Sequence, residues 1–104
     1  MIFSIFNFIP VRCARRSSSW SKVRKEHLKK QPYCAACGKK DKLEVHHILP
    51  VHKYPELELS PDNLITLCAD PCHIIFGHLK YWKSWNVDVI QDCDNYYKKL
   101  QARP

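Results

Sequence analysis

The chain has 104 residues and carries 17 lysines and arginines against 10 aspartates and glutamates, a formal net charge of +7. This length allows one small domain, and so short a chain commonly needs a bound metal or disulfide bonds for stability. A positive domain suits a polyanion such as nucleic acid, although charge alone does not establish that partner. No apolar run approaches the roughly 20 residues that cross a bilayer, so no membrane partner is expected.

The six cysteines admit two interpretations, a disulfide framework or metal binding. The N-terminal segment MIFSIFNFIP is apolar, but it lacks the basic residue that precedes the apolar run of an export signal. We therefore predict a cytoplasmic protein with reduced cysteines, in which residues 1–16 form an apolar and basic arm. A disulfide-rich secreted domain is the alternative, and it would require export.

The first predicted element is a short, strongly basic helix over residues 20–30. Trp20, Val23 and His27 recur there at helical spacing. Such a surface contacts the phosphates of a nucleic acid, which provides affinity without sequence information. The residues predicted to bind the nucleic-acid backbone are Lys22, Arg24, Lys25 and Lys29. A solvated charged face without a partner is the alternative.

Two short strands are predicted next. Leu43, Val45 and His47 alternate as on a strand, and the residues LITL (64–67) indicate a second one. The segment between them, residues 49–63, contains three prolines and is expected to be mostly loop.

Two further helices are predicted after the second strand, which gives an α+β fold. The first spans residues 71–85, although Gly77 weakens that prediction, and the second spans residues 88–103. We expect the aromatic residues of this region to pack in the core or against helices rather than to stack on bases, and these are Trp82, Trp85, Tyr96 and Tyr97. The last helix carries one apolar stripe formed by Ile90, Cys93, Tyr97 and Leu100.

Four of the cysteines form two close pairs. These are Cys34-x-x-Cys37, in the turn before the first strand, and Cys68-x-x-x-Cys72, after the second. Zinc takes four soft ligands in a tetrahedron, and a C-x-x-C turn delivers two thiolates to one ion. The pattern predicts a structural zinc site that joins the ends of the two strands. Cys13 has no evident role.

The adjacent histidines His46 and His47 need a separate explanation. Neighbours on a strand point to opposite sides, so the two are expected to divide two roles. His46 with His73 could hold a catalytic divalent ion. His47 could take a proton from the attacking water at neutral pH, because the unperturbed pKa of histidine is near 6.5. The amide of Asn63 could fix the geometry. Taken singly, a histidine is more often structural than catalytic.

The ordered segments CAACGKKDKLEVHHILP, PELELSPDNLITLC and CHIIFGHLKYW resemble the zinc-containing branch of the HNH endonuclease family over about residues 17–85. The resemblance implies the small ββα-metal fold (the His-Me finger) with a structural zinc site and flanking helices. In this fold two antiparallel strands and a helix hold one divalent ion at the DNA minor groove. It implies a nuclease domain over residues 17–104, with its core at 34–80.

The resemblance also implies roles for individual residues. His46 and His73 correspond to ligands of a catalytic Mg²⁺, Mn²⁺ or Ni²⁺ ion, and His47 corresponds to the general base. Asn63 corresponds to the middle asparagine, which holds the loop and orients the base. The structural zinc ligands correspond to Cys34, Cys37, Cys68 and Cys72.

The chain departs from the family pattern in its last motif. The segment CADPCH carries one extra residue, and the usual lysine-threonine ending is absent. His78 follows His73 by five residues, which on an ideal helix places it about 140° away from the same face. It can act as a third ligand only if the helix is distorted at Gly77.

These observations predict a metal-dependent DNA endonuclease that hydrolyses phosphodiester bonds and nicks one strand as a monomer or weak dimer. The resemblance is compatible with a phage or mobile element and with a larger phage or host complex. The alternative is a zinc-stabilised nucleic-acid-binding module without catalytic activity. A pure binder would have no need of His47.

Overall fold

A two-stranded antiparallel sheet forms the centre of the fold. In a computed structural model that describes residues 17–104, strand β1 (Leu43–His47) pairs with strand β2 (Leu64–Cys68). His46 lies opposite Ile65 in this pairing. Every residue of β2 is buried, which explains its continuous apolar character. Both predicted strands are confirmed, whereas the predictions for residues 1–16 lie outside the described part of the chain.

Helix α1 (Trp20–Lys30) has the predicted bounds and packs beside β2. Its last turn leads into Gln31, whose side-chain oxygen accepts a hydrogen bond from the backbone N–H of Thr66 at 2.8 Å. The Thr66 hydroxyl donates to the carbonyl of Gln31 at 2.8 Å, and the N–H of Ala35 donates to the carbonyl of Thr66 at 2.9 Å. The outer edge of β2 is therefore covered at Thr66, because these contacts occupy the polar groups that an edge strand leaves open.

The predicted helix over residues 71–85 is wrong beyond Gly77. Only a single π-helical turn forms, His73–Gly77. Asn86 returns to this turn, where its backbone and side-chain N–H groups donate to the carbonyls of Gly77 (3.1 Å) and Phe76 (3.0 Å). These bonds occupy carbonyls that a continuing helix would have used, which explains why the helix ends there.

Helix α2 (Val89–Ala102) confirms the last predicted helix and packs through Val89 and Cys93, which are 0% and 1% exposed. The predicted stripe is only partly buried, because Ile90 is 59% exposed and Tyr97 is 37% exposed. Trp82 is 61% exposed, so its predicted place in the core is wrong. A two-stranded sheet offers too little surface to cover all of these side chains. Among residues 17–104, neither helix has the length and apolar character needed to span a membrane.

Candidate metal centres and catalytic site

The four cysteines predicted to bind zinc lie together, with their sulfur atoms within 4.8 Å of one another. Cys34 and Cys37 lie in the turn before β1, Cys68 ends β2, and Cys72 immediately precedes the π-helical turn. The sulfur atoms of Cys37 and Cys68 are 3.8 Å apart. A tetrahedron with zinc–sulfur bonds of about 2.3 Å has edges of about 3.8 Å, so the cluster fits a zinc ion. We call these four residues the cysteine cluster.

The electrostatics of the cysteine cluster also suit a cation. Burial alone would raise the pKa of the Cys34 thiol, but backbone N–H groups of Cys37, Cys68 and Ala36 lower it on balance. Burial, followed by the negative charge of Cys34, raises the pKa of the Cys72 thiol well above its ordinary value. A first thiolate thus opposes formation of further ones, and a bound dication would remove this repulsion.

A second cluster consists of His46, His73 and His78, with one ring nitrogen from each within 4.8 Å of the others. His46 Nδ1 and His73 Nε2 are 3.0 Å apart, and the His46 and His78 ring centroids are 4.8 Å apart. Burial lowers the pKa of His46 to about 3 and also lowers the pKa of His78. The rings of His46 and His78 are therefore neutral near pH 7, which is the form that binds metals. We call these three residues the histidine triad.

His78 joins the triad because the π-helical turn changes the spacing of side chains. Hydrogen bonds in a π helix run from residue i to residue i+5, so a residue five positions after His73 returns to the same side. The condition set by the sequence, a distortion at Gly77, is met, since the π-helical turn ends there. The N–H at Nδ1 of His78 donates to the carbonyl of Ser84 at 2.8 Å, which directs Nε2 away from that bond.

Glu44 is a site residue that sequence analysis missed. Its carboxylate accepts a hydrogen bond from Nδ1 of His73 at 2.6 Å. The bond fixes the proton on Nδ1 and leaves the lone pair on Nε2, facing His46. The signal was present in the sequence, because Glu44 and His46 are two positions apart on β1 and therefore share one face of the strand.

The surroundings of His46 indicate whether the triad fits a metal ion. The residue is 3% exposed, and within residues 17–104 its Nε2 has no hydrogen-bond partner. A buried polar atom without a partner costs free energy, so it calls for an explanation such as an ion. The ring lies directly against Gly77, where a side chain would collide with it. The imidazoles of His46, His73 and His78 form a nitrogen donor set suited to a divalent transition metal.

His47 lies on the other side of β1 from the triad ligands and has different partners. Its Nε2–H donates to the carbonyl of Glu58 at 2.9 Å, and its ring packs on Trp20 with centroids 4.6 Å apart. The carboxylate of Glu58 in turn accepts a bond from the N–H of Ser17 at 2.7 Å. His47 nevertheless borders the same cavity of about 250 Å³ as the histidine triad.

Asn63 ties together the loop that separates the two strands. Its side-chain oxygen accepts from the N–H of Leu49 at 2.8 Å, and its NH₂ group donates to the carbonyls of Leu49 (3.0 Å) and Leu57 (3.3 Å). The loop so held includes Glu58, the residue that bonds to His47. Asn63 thus contributes indirectly to the position of His47, because it holds the loop whose Glu58 carbonyl bonds to that ring.

The basic residues of α1 lie mainly on its surface. Lys22, Lys25 and Lys29 are exposed, and Arg24 is half-buried. Because Trp20 at the start of this helix contacts His47, the basic surface begins next to the cavity. Cys93, which lies on the predicted apolar stripe of α2, is a core residue, and burial raises its pKa to about 12.

Comparison with known proteins identifies one match. Residues 34–83 match the family model described as HNH endonuclease. No curated protein and no solved structure shows a significant match to the chain. The matched segment contains the cysteine cluster, the histidine triad, His47 and Asn63, and it excludes α1 and α2. The resemblance found in the sequence is therefore confirmed for this segment.

Proposed function

We propose that the protein, whose residues 34–83 match the HNH endonuclease family, is a metal-dependent DNA endonuclease that cuts one strand at a time. The family acts generally as nucleases on nucleic acids. The finer proposal is supported by one observation above all: a base candidate, His47, and three candidate metal ligands line a single cavity. Hydrolysis of a phosphodiester requires both functions within reach of one phosphate.

His47 is the proposed general base. The donated hydrogen bond to Glu58 places its proton on Nε2, so the lone pair is on Nδ1. This nitrogen would accept a proton from the attacking water. The packing of Trp20 on the ring and the anchoring of the loop by Asn63 limit its movement. A positioned base of this kind contributes about 10² to 10⁴ in rate.

His46, His73 and His78 would hold the divalent ion. When bound there, the ion supplies Lewis-acid stabilisation of the charge that develops on the phosphate and on the leaving oxygen. Three neutral ligands leave its positive charge intact for this purpose. Glu44 keeps His73 in the ligating tautomer, and the π-helical turn keeps His78 within reach. Mg²⁺, Mn²⁺ and Ni²⁺ are the ions to test, with Zn²⁺ proposed for the cysteine cluster.

The alternative function, nucleic-acid binding without catalysis, explains less of the geometry. A binding module stabilised by zinc needs only the cysteine cluster. It has no use for a hydrogen bond that fixes the tautomer of His47, or for a buried nitrogen of His46 that has no partner among residues 17–104. The unpartnered nitrogen costs stability in a small domain, which favours the enzyme.

Plasmid nicking tests the proposal. Supercoiled DNA is incubated with the zinc-loaded protein and Mg²⁺, Mn²⁺ or Ni²⁺, and the open-circular form is quantified. We expect nicking that disappears with EDTA and falls at least about a hundredfold in His47→Ala. The matched control is His27→Gln, which changes a histidine outside the cavity and should nick normally. If the intact protein relaxes no plasmid with any of these ions, the enzyme proposal fails, and equal nicking by His47→Ala refutes the assigned base.

We further propose that the exposed lysines of α1 bind the DNA backbone. Removing Lys22, Lys25 or Lys29 should weaken binding to all sequences about equally and should reduce the slope of log affinity against log salt by about one unit per contact. Affinity measurements over a range of salt concentrations check this. A charge-removing substitution that changes neither affinity nor slope would identify a merely solvated face.

A further inference from the structure

Trp82 is an exposed indole beside the histidine triad. Its side chain is 61% exposed, although tryptophan is normally well covered in folded proteins. The ring centroid lies 5.3 Å from that of His73, with the two rings nearly perpendicular, and 4.8 Å from that of His78. The indole also borders the cavity that contains His47. A large apolar ring is therefore exposed in direct contact with two of the proposed metal ligands.

The backbone that presents this indole is strained. Leu79 and Lys80 both adopt left-handed conformations, with φ of 54° and 69°, which cost about 1–3 kcal/mol each for residues of this type. Hydrogen bonds between His78 and Ser84, in both directions, and from the Ser84 hydroxyl to Tyr81 hold the turn in place. Strain of this kind persists where the surrounding structure imposes it, and it is concentrated at functional sites.

The surroundings of Trp82 suit a nucleotide. Lys80 and Lys83 on either side of it are exposed. The described residues that line the cavity include Lys83 but no aspartate or glutamate. Lysines attract the phosphate, while an aromatic face attracts a base of any identity. Trp82, Lys80 and Lys83 thus combine the two interactions by which proteins bind single strands.

We propose that Trp82 is a stacking platform for an unpaired base next to the cut phosphate, so that the site prefers DNA containing a single-stranded or unpaired nucleotide. In a continuous duplex each base face is covered by its stacked neighbours, and an indole at the cut site has no base to stack on. An unpaired base is free to leave the stack at little cost. The inference rests on the proposed function, because the phosphate is placed in the cavity by the proposed catalytic residues.

The test is DNA binding by the zinc-loaded, full-length His47→Ala protein, which separates binding from cutting. Fluorescence anisotropy compares a short single-stranded DNA with a hairpin duplex of the same sequence. Trp82→Ala should weaken single-strand binding about 5- to 100-fold and duplex binding by less than about twofold, as expected for the loss of one stacked base. Trp82→Phe should retain most of the affinity, and the salt dependence should not change, since no charge is removed.

The matched control is Tyr33→Ala, which removes an exposed aromatic side chain that lines a different cavity. It should leave both affinities unchanged. Thermal unfolding of each variant shows whether the fold is kept. Equal loss on both DNAs in Trp82→Ala, or a Trp82→Phe variant as weak as Trp82→Ala, would overturn the stacking role.

The outcomes separate this inference from the proposed function. If the intact protein nicks plasmid and Trp82→Ala binds single strands normally, only the platform is refuted. If no nicking occurs under any ion but Trp82 still determines single-strand affinity, the platform stands as part of a binding module and the enzyme proposal fails.

Discussion

Replacing Gly77 by alanine should impair the histidine triad through a single methyl group. A Cβ at this position would lie 3.0 Å from Cε1 of His46 and 3.1 Å from each of its two ring nitrogens. Ordinary contacts begin at 3.4 Å, so the ring would have to move by about 0.4 Å (3.4 minus 3.0). It has little room, because His46 is 3% exposed and borders the rings of His73 and His78.

Two opposing terms set the effect on stability. Alanine is preferred over glycine within a helix by about 1 kcal/mol. Overpacking a buried site costs about 1–3 kcal/mol. The zinc-loaded Gly77→Ala protein should therefore lose up to about 2 kcal/mol of unfolding free energy. Activity should fall further, about 10- to 100-fold, because small displacements of a ligand or catalytic group are costly.

The assays are urea unfolding, divalent-ion titration by calorimetry, and plasmid nicking. The decisive control is the same substitution in a His46→Ala background, where the shortened side chain leaves room for the methyl group. There Gly77→Ala should stabilise the protein by about 1 kcal/mol, a reversal of sign that a double-mutant cycle measures directly. An effect of equal sign and size in both backgrounds would refute the argument that the methyl group acts through His46.

Glu44, Cys37 and His27 allow three further predictions. Glu44→Gln should lower divalent-ion affinity at the triad about 10- to 100-fold by calorimetry, because His73 loses its charged partner, and unchanged affinity would contradict that role. Cys37→Ser should lower the melting temperature and the zinc content together, and an unchanged melting temperature without zinc would show that zinc does not stabilise the fold. Burial lowers the pKa of His27, and this effect outweighs the bond with Gln31, which raises it. Below pH 6.5 the unfolded chain therefore binds more protons at this residue than the folded chain does. Urea unfolding should therefore show stability falling more steeply from pH 7 to 5.5 in the wild type than in His27→Gln, and parallel curves would refute this.

Local patterns in the sequence predicted the parts of the fold that local physics controls. The bounds of α1 followed from the spacing of apolar residues between charged ones, and β1 followed from strict alternation. The positions of the two cysteine pairs predicted that they meet. One pair precedes the start of β1 and the other begins at the end of β2, and antiparallel pairing brings these two strand ends together. The separation of His46 from His47 likewise followed from strand geometry.

The region after β2 could not be predicted in the same way. Residues 71–85 have helical composition, but Leu79 and Lys80 take backbone conformations that their side chains disfavour. Those conformations are held by hydrogen bonds from the N–H of Lys80 to the carbonyl of Ile74 at 2.7 Å, between His78 and Ser84, and from Asn86 to the π-helical turn, and no local pattern reports such bonds. The same limit applies to Trp82, since periodicity identifies an apolar side chain but not whether another element covers it.

The two clusters of ligands explain each other. A small domain has little apolar core with which to keep the imidazole of His46 buried while its Nε2 has no hydrogen-bond partner among residues 17–104. A zinc ion at the cysteine cluster would compensate, because Cys72 immediately precedes His73 and would fix the start of the π-helical turn. Through Cys68 the ion would also fix the end of β2, whose pairing positions His46 on β1. Zinc at the cysteines would thus supply the rigidity that allows a strained, partly unsatisfied site to persist beside it.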